Sequence, residues 1–211
     1  MSIFVPFISG FIASVIGVLP PGLINLTAAK VSLTDGKKRA MMFVFGALFV
    51  IFYQTYISVI FAQYINSHQD IIVLLRKIEF VIFIGISIYY LFFVKNPNLH
   101  PDEEFHLKSK RNRFFMGMLI SAINFFPIPY YVLVSISLAN YDLFIFDTLS
   151  IYSLVFGVVA GSFSVFYLYI LFFNKMKTKA DYFVNNMNKI IGIITGLIAF
   201  ITLFNVLKIY F

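Results

Sequence analysis

The chain has 211 residues, of which 61% are hydrophobic, 19% aromatic and only 12% charged, far below the roughly quarter charged content of soluble domains. It contains no cysteine, which excludes disulfide frameworks, thiolate metal sites and thiol redox chemistry. The formal charge of +7 falls in short segments between apolar runs, so it sets orientation in a membrane and implies no nucleic-acid partner.

An all-α integral membrane protein of one domain follows, because a hydrocarbon core about 30 Å thick needs about 20 apolar residues per helix. The start, Met1-Ser2-Ile3-Phe4-Val5, lacks the basic opening of a signal peptide, and its apolar run is longer than a signal core. It is expected to be the first spanning helix, over about Phe4 to Ala29. That stretch is interrupted by Pro20-Pro21-Gly22, where lost backbone donors and added freedom predict a kink or break. In lipid such a break is tolerated only where protein or a water-filled cavity satisfies the freed carbonyls.

A basic turn, Lys30 to Arg39, leads to a second span over about Ala40 to Ile65. A third covers about Ile71 to Val94, with Arg76, Lys77 and Glu79 in its first turns. The fourth occupies about Phe114 to Ala139, the fifth about Thr148 to Phe173 and the sixth about Ile190 to Ile209. Lysine and arginine crowd the first, third and fifth loops, whereas the fourth carries only Asp142 and Asp147. By the positive-inside rule the odd loops are cytoplasmic and both termini lie outside, in a bacterial-type inner membrane.

A constant shift of 107 exposes an internal repeat: Gly10 meets Gly117, Ser14 meets Ser121, Pro20 meets Pro127 and Gly85 meets Gly192. Each half then holds three helices, over about 1–94 and 114–211 with a cytoplasmic linker at about 95–113. Three is odd, so the second half crosses in the opposite sense. The predicted fold is six transmembrane helices arranged as two inverted repeats, with helices one and four broken at Pro20-Pro21-Gly22 and Pro127-Ile128-Pro129. In such architectures, paired breaks mark a substrate site near the midplane.

At these residues the chain resembles the LysE-type (RhtB) family of amino-acid exporters. Pro21-Gly22 matches two of the three residues of that family's Pro-Gly-Pro break, and Gly36-Lys37-Lys38-Arg39-Ala40, leading to Gly46, fits its turn with alanine for one glycine. Phe114 and Gly117, leading to Asn124 and Pro127, fit the approach to its second break. Leu23 replaces the second motif proline, Phe126 precedes Pro127 where the family often has asparagine, and Ile128 stands where many members carry lysine. The resemblance implies a secondary transporter that exports amino acids or related small polar solutes, coupled to the proton gradient.

Pro20, Pro21, Gly22, Asn25, Ser121, Asn124 and Pro127 are the candidate substrate-binding residues, joined by Tyr53 and Gln54 on the second helix. The plainer reading of Tyr53 and Gln54 is interhelical glue, and of Ser14 and Ser121 small contacts between helices. Glu79 is the acidic residue within a span and so the coupling candidate, although Arg76 and Lys77 beside it fit an interfacial ion pair. His100 to His106 concentrates imidazoles and carboxylates without the spacing of a metal site and reads as a polar linker. Gly157-x-x-x-Gly161 and Gly192-x-x-x-Gly196 read as packing stripes inside the fold and leave room for a homodimer. No cofactor, metal site or enzymatic activity is expected, since His68, His100 and His106 all lie in loops. The expected partners are a small-molecule substrate and the lipid bilayer. The rival readings are a divalent-metal or other cation exporter of the same layout and a non-transporting membrane scaffold.

Overall fold

In the computed structural model, residues 3–20, 22–66, 84, 85, 88 and 109–175 are described, and among them every regular element is helical. Among the described residues six helices have defined bounds: α1 (Phe4–Val18), α2 (Leu23–Asp35), α3 (Lys37–Asn66), α4 (Lys110–Ile123), α5 (Pro127–Asn140) and α6 (Thr148–Lys175). They belong to a compact unit formed by Met1–Tyr64 and His100–Lys177, which therefore draws on both sequence halves. The other unit, Ile65–Leu99 and Thr178–Phe211, takes in the third and sixth apolar stretches. Those two expected spans fall almost wholly outside the described residues.

With a rise of 1.5 Å per residue, α3 and α6 are about 45 and 42 Å long, enough to cross a bilayer. The pairs α1 with α2 and α4 with α5 qualify as spans only when each is taken together, and they bend by 77° and 65° at their breaks. Among the described residues there are thus two candidate spans, or four if each bent pair is one.

The breaks fall where the prolines dictate, but by different routes. The last turn of α1 closes with Leu19 N–H donating to the Val15 carbonyl at 2.9 Å. Pro20 has no amide hydrogen to continue the ladder, and Gly22 then stands extended as the N-cap of α2 (φ −102°, ψ 179°). At the second break α4 already stops at Ile123. Pro127 opens α5, a position where its missing donor loses nothing.

The expected basic turn over Lys30 to Arg39 is corrected: α2 runs on to Asp35, and the turn shrinks to Gly36. Lys30 to Thr34 contains no helix breaker, and its one lysine has a stem long enough to reach polar surroundings. Gly36 adopts φ +88° and ψ 159°, a conformation that a side chain would forbid, and its carbonyl accepts from Arg39 and Ala40 to start α3. The C-terminus of α5 is closed by Leu143 N–H to Leu138 O and Asp142 N–H to Ala139 O, with Asp142 in the left-handed region that glycine usually fills.

Packing is directed by glycines at which backbones touch. Any Cβ on Gly10 would strike the Leu154 carbonyl and on Gly157 the Phe7 carbonyl, so α1 and α6 lie in direct backbone contact. A Cβ on Gly117 would likewise strike the Phe43 carbonyl and on Gly46 the Phe114 carbonyl, which joins α4 to α3. The two contacts are the same contact made twice. Gly10 and Phe7 precede Gly117 and Phe114 by 107, while Phe43 and Gly46 precede Leu154 and Gly157 by 111. Contact residues rise together along α1 and α6, and along α3 and α4, so each pair is parallel. Between α3 and α6 the rings of Phe45 and Phe163, Phe52 and Phe156, and Tyr56 and Tyr152 meet with numbers that rise on one helix and fall on the other. These two long helices are antiparallel.

The buried faces of the broken pairs also coincide at 107. Pro6, Gly10 and Ser14 correspond to Arg113, Gly117 and Ser121; Ile24, Asn25, Ala28 and Ala29 correspond to Tyr131, Val132, Ser135 and Ile136. Gly157 and Gly161 pack against α1, in keeping with stripes that serve the fold, while Gly192 and Gly196 lie outside the described residues. Along α3 an exposed stripe of Phe49, Tyr53, Ile57 and Phe61 faces away from this core.

Replacing Gly117 or Gly157 by alanine is expected to destabilise the fold by about 1–3 kcal/mol each, because the obstacle is backbone that cannot yield. Thermal unfolding in lipid nanodiscs measures this, and an unchanged midpoint for either variant contradicts the backbone contact. A pH effect is expected at the start of α6, where Asp147 Oδ2 accepts from the amides of Leu149 (3.2 Å) and Ser150 (3.3 Å). The Ser150 hydroxyl and these amides hold its carboxyl below the usual 3.8. A depressed value means that the stabilisation is present above the ordinary carboxyl range and fades as pH falls through the lowered one. The stability difference between the parent and Asp147→Ala should therefore shrink on acidification below about pH 4 and stay flat above it.

Candidate functional site

Breaking a helix in lipid leaves carbonyls without their i+4 donors, and each needs another partner. At the first break the side chain of Asn25, itself buried, supplies one. Its Nδ2 donates to Val18 O at 2.6 Å and Pro20 O at 3.0 Å, so the first turn of α2 caps the last turn of α1. The hydroxyl of Tyr169, from α6, donates to Leu19 O at 2.8 Å. The three successive carbonyls of Val18, Leu19 and Pro20 are thereby satisfied, and Pro21 lies outside the described residues.

The second break is closed from a different direction. Position 132, which corresponds to Asn25, is valine and has nothing to donate. Gln54 of α3 takes over, with Nε2 donating to Ser121 O at 3.2 Å and Asn124 O at 3.0 Å. Asn124 turns its own Oδ1 to the Phe126 amide at 3.4 Å, a long and weak contact. Ser58 braces the residue that does the capping, donating to Gln54 O at 2.6 Å.

The two breaks are joined by Tyr130, in the first turn of α5. Its hydroxyl donates to Ala13 O at 2.7 Å, its ring stacks on Phe126, and Gly17 makes room for it, since a Cβ there would lie 2.8 Å from the ring. Ser14 and Ser162 share a hydrogen bond of 2.7 Å between α1 and α6.

Of the residues picked from the sequence, the structure brings Gln54, Ser121 and Asn124 together at one break, and Pro20, Gly22 and Asn25 at the other. Gly22 has open space where a Cβ would stand, and as the N-cap of α2 it offers no side chain to cap the first amides. Pro127 is the first residue of α5. Tyr53 is not part of either group: it is half exposed and meets Phe49 and Phe52 edge-on, because one step along α3 turns it about 100° from Gln54. Glu79 lies outside the described residues. Tyr130, Tyr169 and Ser162 are additions that sequence reading missed. In a chain with 13 tyrosines nothing marks two of them.

Also missed is a buried ion pair. Arg113, at the start of α4, reaches Asp35 at the end of α2, with Nε 2.7 Å and a terminal nitrogen 2.5 Å from Oδ2. Each sits at the end of its helix remote from the break, about 15–18 Å along the axis. Replacing Arg113 by methionine strands a buried carboxylate and is expected to destabilise the protein by about 3–5 kcal/mol. The double variant Arg113→Met with Asp35→Leu should recover most of that loss; denaturant or thermal unfolding of the three variants measures it, and additive losses contradict the pairing.

A model of the family described as LysE type translocator matches residues 15–205, a stretch that takes in both breaks and both long helices. No curated protein and no solved structure matches the chain. Continuous apolar helices, bent pairs of spanning length and the extent of that match agree, and the chain belongs to the LysE type translocator family of multi-pass membrane proteins.

Proposed function

We propose that the protein exports a small polar solute of the amino-acid kind across the cytoplasmic membrane, by alternating access between two three-helix halves related as an inverted repeat. The observation that carries this reading is the pair of bent spans, 77° and 65°, whose buried positions coincide at a shift of 107 and whose breaks carry uncharged polar groups. Half-helix ends of opposite sign suit a zwitterion: the first amides of α2 beside Gly22, which has no side chain to cap them, favour a carboxylate, and the carbonyl end of α4 favours a cation.

In this reading Pro20, Pro21, Gly22, Asn25, Ser121, Asn124 and Pro127 surround the solute path. Asn25 and Gln54 act chiefly by holding the broken ends in shape, because their amide nitrogens are committed to backbone carbonyls. The Asp35–Arg113 pair ties α2 to α4 on the side of the basic loops, and access from the cytoplasm requires it to part. Both termini lie outside, the coupling ion is the proton, and Glu79 is the candidate carrier.

Efflux of radiolabelled amino acids from proteoliposomes under an imposed pH gradient tests this. Gly22→Val should lower flux about tenfold or more, since a branched side chain blocks approach to the α2 amides, without shifting the unfolding midpoint. Unchanged flux removes the site from the first break. Flux of divalent metal instead of amino acids favours the cation exporter, and no flux of either favours the scaffold.

A further inference from the structure

Among the described residues, the second break holds polar atoms without partners: Gln54 Oε1 and Ser121 Oγ are both buried and make no hydrogen bond there. Ser121 is fully buried and Gln54 is 7% exposed. A buried polar atom without a partner is costly anywhere and more so within a membrane, where no bulk water can reach it.

The orientation of Gln54 is forced. It faces two carbonyls, Asn124 O and Ser121 O, the second of which also accepts from the Asn124 amide at 3.1 Å, and carbonyls only accept, so the amide nitrogen must face them and Oε1 points elsewhere as an acceptor. The two residues that carry these acceptors are themselves joined, through the 3.2 Å bond from Gln54 Nε2 to Ser121 O near the end of α4.

The other break shows what a satisfied arrangement looks like. Ser14, which precedes Ser121 by 107, is bonded to Ser162 on α6. The position that precedes Ser162 by 111, the offset between the long helices, is Ile51 on α3. The chain therefore supplies a hydroxyl partner at one break and a hydrocarbon at the other. Ser121 keeps its polar group where the repeat has removed the group that would bond it.

We infer that Gln54 Oε1 and Ser121 Oγ form a subsite for a monovalent cationic group, either the primary ammonium of the exported solute or a small alkali ion. Both atoms are acceptors, Gln54 Oε1 solely so, and they stand at the carbonyl end of α4, where the helix dipole is negative. Neither carries a formal charge, which suits a monovalent group better than a divalent metal. The inference rests on the second break being part of the solute path.

Purified protein in nanodiscs, heated in matched concentrations of methylammonium, sodium or choline chloride, provides the test. Methylammonium should raise the unfolding midpoint above choline if the occupant is an ammonium, and sodium should do so if it is an alkali ion. Ser121→Ala should abolish that rise and weaken the apparent affinity about tenfold or more. The variant should fold without loss, since Ser121 Oγ bonds nothing among the described residues, and Ser164→Ala, which removes a satisfied hydroxyl on α6, should keep the rise. Equal midpoints in all three salts, or the same rise in Ser121→Ala, overturn the subsite. Proteoliposome efflux separates this from the transport reading: where methylammonium raises the parent's midpoint, flux with an unaltered KM in Ser121→Ala refutes the subsite alone, and where sodium does, flux with an unaltered sodium dependence does so, whereas absent flux in the parent refutes transport.

Discussion

Every feature at the centre of this protein depends on one constraint: a backbone carbonyl released inside a membrane must find a new donor. Two bent spans release several of them, at Val18, Leu19 and Pro20 and at Ser121 and Asn124. Asn25, Tyr169 and Gln54 answer that need, and in doing so they fix the angle between each pair of half-helices. A polar side chain buried at such a place is first a structural necessity. What it has left over after capping is the part that can meet a solute. Asn25 and Gln54 each spend the amide nitrogen on two carbonyls, and among the described residues the buried oxygen of Gln54 has no partner.

Close packing supplies the rigid frame on which these caps can act. Gly10, Gly46, Gly117 and Gly157 let α1 lie on α6 and α4 lie on α3 with backbone touching backbone. Van der Waals contact over such surfaces replaces the hydrophobic drive that lipid cannot provide between helices. The arrangement is written twice with different side chains, and its asymmetries are informative. Valine at 132 and isoleucine at 51 stand where Asn25 and Ser162 stand in the other copy, so the second break is held from α3 and keeps an unbonded serine.

Much of this was legible in the chain. Prolines at 20 and 127 locate the breaks because proline withholds a donor in any environment. Glycines at 10 and 117 announce the offset of 107 because nothing larger fits where backbones meet. Other features were not. The turn expected over Lys30 to Arg39 contracts to Gly36, since lysines tolerate a helix whose end reaches polar surroundings. Asp35 and Arg113 read as loop charges, and only folding brings residues 78 apart into one buried pair. Tyr53 and Gln54 are neighbours in sequence, yet the helical rotation sends one to the outside and the other to the break.

By itself the sequence determined that the chain is a helical membrane protein, where its helices must break and that its two halves share a pattern. These follow from local chemistry: hydropathy over a bilayer's thickness, missing donors and missing side chains. The tertiary structure alone decided which polar groups are consumed in closing the breaks and which remain free, because that depends on the partner each donor meets across helices. Gln54 and Ser121 look alike in the sequence to Asn25 and Ser14. Only the distances separate a serine bonded across to α6 from a serine and a glutamine that, among the described residues, still have acceptors to offer.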